Sequence, residues 1–126
     1  MGDLTDTLKL SAGGMQAQAT RLRHVTENIA NADTPGYRRK LTAFRQAMAA
    51  GAVETGPVTL DPGALERVYD PAHPLADENG QYLGSNVDLV IEIADAREAQ
   101  RSYEANLRMF DQARQMTRSL LEILRR

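Results

Sequence analysis

The stretch VDLVIEIADAREAQRSYEANLRMFDQARQMTRSLLEIL, residues 87–124, places Leu89, Ile93, Ala96, Gln100, Tyr103, Leu107, Phe110, Arg114, Thr117, Leu121 and Leu124 at alternating spacings of four and three. That heptad, held without a slip, predicts a long coiled-coil helix from Val87 to Leu124. Such a helix runs roughly 57 Å at 1.5 Å per residue. Ser85 with Asp88 gives it a capping-box-like start. A second seam lies beside the first through Met109, Ala113, Met116, Leu120 and Ile123, so the last turns are apolar over a face wider than one partner helix covers. On the remaining face, Glu98 with Arg101 and Glu104 with Arg108 read as solvated pairs.

The same alternation opens the chain. Leu4, Leu8, Ser11, Met15, Gln18, Leu22, Val25 and Ile29 form a seam with Ala12 and Ala19 beside it, which predicts a helix over Leu4–Ala30. Gly13-Gly14 lies inside this helix, each glycine about 1 kcal/mol less favourable than alanine. Two readings are open: a frayed or kinked turn, or a close approach by another backbone. Asn31-Ala32-Asp33-Thr34-Pro35-Gly36 then stops the helix. Pro35 lacks an amide donor and disfavours helix at Thr34, and Gly36 can take positive φ.

Residues 32–86 contain all five prolines and six of the nine glycines. Leu41–Ala50 has room for one or two helical turns, and Val53, Val58, Leu60, Val68 and Tyr69 are strand-like. The segment reads as an extended linker with one small hairpin, too poor in apolar residues to fold without lying against something else. The expected architecture is therefore mainly α. An antiparallel pair of long terminal coiled-coil helices, 1–31 and 87–126, flanks a Pro/Gly-rich linker, 32–86.

Composition narrows the chemistry. The 126 residues include no cysteine, which excludes zinc-thiolate sites, iron–sulfur clusters, disulfides and cysteine nucleophiles. A net charge of −2 offers no general field for nucleic acid. Apolar runs are only a few residues long, far from the roughly 20 a membrane helix needs. Asp3 and Asp6 stand where a secretory signal carries bases. His24, next to seam position Val25, reads as a flank residue rather than a catalytic base. His73 lies among Asp70, Asp77 and Glu78, a conceivable metal set, although placing Gly80 at the sixth position of a calcium loop puts Leu75 and Asn86 where acids are required. No phosphate loop, nucleophile elbow or His-Glu-x-x-His motif is present. Arg38-Arg39-Lys40 reads as a solvated turn or a bridge to an acidic neighbour. The expectation is a protein without enzymatic activity or cofactor.

Two helices packed as a pair cover one stripe each. Met109, Met116, Leu120 and Ile123 would remain in water, so the pattern predicts assembly with other chains. Arginine supplies 13 of the 15 basic residues, a preference shared by desolvated contacts and by coding bias alike.

Asn28-Ile29-Ala30-Asn31-Ala32-Asp33-Thr34-Pro35-Gly36-Tyr37-Arg38, closing a helix with Ser11 and Arg21, resembles the N-terminal signature of bacterial flagellar rod, hook and hook-associated subunits. Ser102-Tyr103-Glu104-Ala105-Asn106 is similar to their C-terminal signature. Tyr69-Asp70-Pro71-Ala72-His73-Pro74-Leu75-Ala76-Asp77, followed by Asn86-Val87-Asp88, resembles the proximal-rod members. Ser85 replaces the proline usual before Asn86, and Gln81-Tyr82-Leu83 stands where Gly-Tyr-Val is commoner. The resemblance covers both helices and the second half of the linker, and residues 43–67 contribute almost nothing to it. It implies a structural subunit of the periplasm-spanning axial tube, transmitting torque with other rod subunits and copies of itself. It also implies passage through the flagellar type III export apparatus without a cleaved signal peptide. The competing reading is a helical-hairpin adaptor or secretion-system chaperone that binds another protein.

Overall fold

A computed structural model describes residues 2–46 and 52–125. Along the chain come α1 (Gly2–Ala30), β1 (Lys40–Leu41), β2 (Phe44–Gln46), β3 (Val53–Thr55), β4 (Thr59–Leu60), β5 (Arg67–Tyr69), β6 (Gln81–Leu83) and α2 (Leu89–Arg125). The start of α2 is set by Asp88, whose Oδ1 accepts the Val90 amide at 3.0 Å while its carbonyl accepts the Glu92 amide. Ser85 is not half of a capping box. Its Oγ donates to the Ala32 carbonyl and accepts the Val87 amide at 3.3 Å, tying the exit from α1 to the entry of α2.

The helices lie against each other antiparallel. Asn28 meets Glu92 at 3.3 Å, Arg21 pairs with Asp95 and reaches Glu98 at 3.4 Å, and Gly14 lies beneath Asn106. From the Asn28/Glu92 contact to the Gly14/Asn106 contact each helix advances fourteen residues. Carried on, this register brings Gly2 level with 118 and leaves 119–125, about two turns, beyond the described residues of α1.

The side of α2 turned toward α1 carries buried Glu92, Ala99 and Ala113, with Ala96, Tyr103, Asn106, Phe110 and Thr117 half-buried. Leu89, Ile93, Leu107, Leu121 and Leu124 are exposed. On α1, Ser11, Ala17, His24, Val25 and Asn28 are buried, Leu4, Leu8, Met15 and Leu22 are half-buried, and Ile29 is exposed. The rotation observed buries Glu92 and supplies Asn28 and Arg39 as its partners, without which a buried carboxylate costs several kcal/mol. It leaves these α2 leucines in water at about 1.5–3 kcal/mol each. Among the described residues the buried apolar side chains are Ala17, Val25, Ala99 and Ala113, a core of small residues.

The linker contains two antiparallel ladders rather than one hairpin. In the first, β1 pairs with β4 (Lys40 with Leu60) and β2 with β3 (Arg45 with Glu54). Two residues, Thr42-Ala43, oppose three, Gly56-Pro57-Val58, so the ladder bulges where Pro57 has no amide to donate. Val58 accordingly falls outside the strands, while Val53, Leu60, Val68 and Tyr69 fall within them. The helical turns expected over Leu41–Ala50 are replaced by strand at Leu41 and Phe44–Gln46, because cross-strand partners, including the Arg45–Glu54 ion pair at 2.8 Å, claim that stretch; residues 47–50 of that expectation lie outside the described ones. The second ladder pairs β5 with β6, Val68 opposite Tyr82.

Gly13-Gly14 sits in unbroken helix. A Cβ on Gly13 would meet only the Val53 carbonyl, at an ordinary 3.5 Å, but one on Gly14 would meet the Asn106 carboxamide at 2.6–2.8 Å. The close approach is thus made by a side chain of this same chain, held by its own bond from Nδ2 to the Ser102 carbonyl at 2.9 Å. Gly13→Ala should therefore stabilise the chain by about 1 kcal/mol. Gly14→Ala should gain nothing or destabilise unless Asn106→Ala is present as well, which urea midpoints of the four proteins will resolve; equal gains at Gly13 and Gly14 would refute the contact.

Candidate assembly faces and the polar junction

The turn after α1 is built from its own side chains. Asn31 donates Nδ2 at 2.8 Å to the Glu27 carbonyl, which also accepts the Asn31 amide at 3.1 Å, and its Oδ1 accepts the Thr34 hydroxyl at 3.1 Å. Pro35 follows, and Gly36 adopts φ +75, as its position in the stop signal anticipates. In that conformation the Gly36 amide reaches the Leu83 and Gly84 carbonyls at 3.2 and 3.0 Å, fastening the turn to the end of β6.

Tyr37 then points back at Asn28. The Asn28 carboxamide, fully buried, accepts the Tyr37 hydroxyl and the Lys40 amide, both at 2.8 Å. It donates to the Lys40 carbonyl at 3.1 Å and to Glu92 Oε2 at 3.3 Å. Glu92, also fully buried, takes Arg39 Nε on its other oxygen at 2.6 Å, and Arg39 extends to Asp61 at 3.3 Å. Asn86 accepts the Arg39 amide at 2.7 Å and donates to the Asp61 carbonyl at 3.0 Å. The Arg38-Arg39-Lys40 cluster is therefore a bridge whose acidic neighbours, Glu92, Asp61 and Glu27, belong to the chain itself. Sequence reasoning missed Glu92. Its signal was a single carboxylate inside Leu-Val-Ile-Glu-Ile, where an amphipathic surface helix has no reason to interrupt the run.

His24 is buried, not a flank residue, with Nδ1 2.6 Å from the Thr42 hydroxyl. Burial, then the Arg23 charge, holds its pKa below the ordinary 6.5. The Lys40 ammonium lowers Glu27, and the Gly63 amide, helped by Arg39, lowers Asp61. His73 stacks on Tyr82 with ring centres 3.9 Å apart, and its Nδ1 accepts the Leu75 amide at 3.1 Å. Asp70 and Asp77 accept amides of their own turns, and among the described residues no group of three or more His, Asp or Glu has metal-site geometry.

Outward, α2 presents Leu89, Ile93, Leu107, Met109, Met116, Leu120, Leu121, Ile123 and Leu124, each between 40% and 75% exposed. Glu98 faces Arg21 across the helices, and Tyr103 and Asn106 lie half-buried beside exposed Glu104 and Ala105. No helix among the described residues is long and apolar enough to cross a membrane.

Two family models match this framework. "Flagella basal body rod protein" covers residues 8–38, which are most of α1 and its turn. "Flagellar basal body rod FlgEFG protein C-terminal" covers 79–123, which are β6 and α2. Over nearly the whole chain, the flagellar basal-body rod protein FlgC of Agrobacterium fabrum is 40% identical, covering 99% of this chain and 98% of that protein. The chain belongs to the FlgC family of flagellar basal-body rod proteins. Aquifex aeolicus FlgC is 34% identical over 87% of this chain and 89% of its own, and Salmonella typhimurium FlgC 32% over 90% and 92%. The FlgC matches extend through the linker, which the two family models leave largely uncovered.

Because Gly36 holds a left-handed φ with open space at its Cβ, substitution there is strained by the backbone alone. Gly36→Val should lower stability by at least the ~1–2 kcal/mol of a left-handed L-residue, and Gly36→Asn by less; equal midpoints in urea for the three proteins would contradict this. For His24 the folded pKa lies below the unfolded 6.5, so the unfolded chain takes up the proton first as pH falls. Its contribution is complete above about pH 6.5 and is lost as pH drops through the folded value. Melting temperature should consequently fall more between pH 7.5 and 5.5 in the wild type than in His24→Gln, and parallel falls would exclude the role.

Proposed function

We infer that this chain is a structural subunit of the flagellar rod, and that it enters the rod by packing its two helices, coiled-coil fashion, against neighbouring subunits while residues 32–86 form an outer segment. Segments 1–31 and 87–126 are the packing units in this reading. The partners are other rod subunits and copies of this chain. Delivery by the flagellar type III export apparatus, with no signal peptide removed, is part of the same reading.

The supporting observation is the outward row of large apolar side chains on α2. At roughly 25 cal/mol per Å², covering that row yields several kcal/mol that the isolated chain does not gain. The row also runs through 119–125, beyond the described reach of α1, so pairing within the chain cannot cover it.

Circular dichroism of the purified monomer should report markedly fewer helical residues than the 29 of α1 and 37 of α2, rising on polymerisation. Leu107→Asp with Ile123→Asp should leave subunit synthesis and export intact and abolish rod assembly and motility. Motile cells carrying both changes would sink the reading, and a fully helical, thermally robust monomer would favour an adaptor.

A further inference from the structure

The first linker ladder has little apolar attachment: Phe44, Val53, Val58 and Leu60 are all between 42% and 56% exposed. An isolated two-stranded ladder is marginal in water. What fixes this one is polar and comes from two helices at once. Asn28 of α1 holds both backbone groups of Lys40, and Glu92 of α2 holds the Arg39 side chain, which in turn holds Asp61 at the far end of the ladder. Asn28 and Glu92 are bonded to each other, so the complete set of bonds around Lys40 and Arg39 forms only when the helices are paired.

We propose that the Asn28–Glu92–Arg39 junction makes the ordering of residues 37–46 and 52–63 conditional on pairing of α1 with α2. With the helices apart, Glu92 is solvated, Arg39 loses its buried counter-charge and with it the support it gives Asp61, and the ladder keeps only what α1 offers through Asn28, His24 and Glu27 near Lys40 and Thr42. With the helices together, Asn28 and Glu92 become a preformed site for the Arg39-Lys40 segment, and the charge-assisted bonds form in a water-poor setting where they are strong. The linker surface thereby displays whether the helices beneath it are paired.

The test follows hydrogen exchange at the Lys40 and Asp61 amides, which donate to Asn28 and to the Arg39 carbonyl, alongside helix content in the full chain as trimethylamine N-oxide is raised to drive pairing. In the wild type, protection of both amides should rise together with the helix signal. In Glu92→Gln and in Arg39→Gln the helix signal should still rise while protection falls at least tenfold. Glu98→Gln, which removes an exposed interhelical carboxylate outside the junction, should stay within twofold of wild type. Wild-type amides protected before helix forms, or full protection in Glu92→Gln, would overturn the proposal. So would loss of helix in step with the linker in both Glu92→Gln and Arg39→Gln, since the chain would then be one cooperative unit with no separate coupling. None of these readouts depends on rod assembly, so they stand apart from the functional reading.

Discussion

Every hydrogen-bonding position of the Asn28 carboxamide is used, two as acceptor and two as donor, inside a site closed to water. Satisfying an amide completely in this way is compatible with burial; leaving one bond unmade costs about 1–3 kcal/mol. The requirement propagates outward. It sets the distance from α1 to Lys40, the rotation of α2 that brings in Glu92, and the path of Tyr37 through the turn. Removal of one member strands the others, so the junction specifies a single arrangement of three chain segments more sharply than it adds net stability.

Around that junction the usual division of residues is inverted. Alanines, Ser11, Gly14 and Asn106 lie between the helices, while leucines, isoleucines and methionines line the outside of α2. Small residues let the two axes approach, and the larger apolar volume is left to other surfaces. A chain so arranged has an incomplete core by itself, in keeping with a family whose members are rod proteins.

Much of this was legible in the sequence. The heptad spacings gave both helices to within two residues at every end, and the Pro35-Gly36 pair gave the stop with its positive φ. Periodicity does not reveal which stripe of a helix meets which partner. The Leu89–Leu124 seam carries the heptad, yet it is Glu92, one residue from Ile93, that lies fully buried against α1 with Asn28 and Arg39 as partners. The sequence anticipated one hairpin and the strand character of Val53, Leu60, Val68 and Tyr69, but not the opening strands of the first ladder, for a related reason. Lys40-Leu41 and Phe44–Gln46 carry no strand alternation of their own and become strands through partners seven to twenty residues away that local propensity does not register. Glu92 and Arg39, 53 residues apart, become neighbours only after both helices and the turn are built.

The interhelical polar contacts also make the pair mechanically uneven. Ion pairs and hydrogen bonds cross between the helices at Asn28 and Arg21, and among the described residues none crosses before Gly14. Shear along the axis is resisted at the junction end by directional bonds that must break to slip. Toward the start of α1 only side-chain packing opposes sliding, with a shallow energy gradient for small displacements. Under torsion the chain is stiff at one end and compliant at the other, so strain concentrates away from the junction, toward the start of α1 and the last two turns of α2.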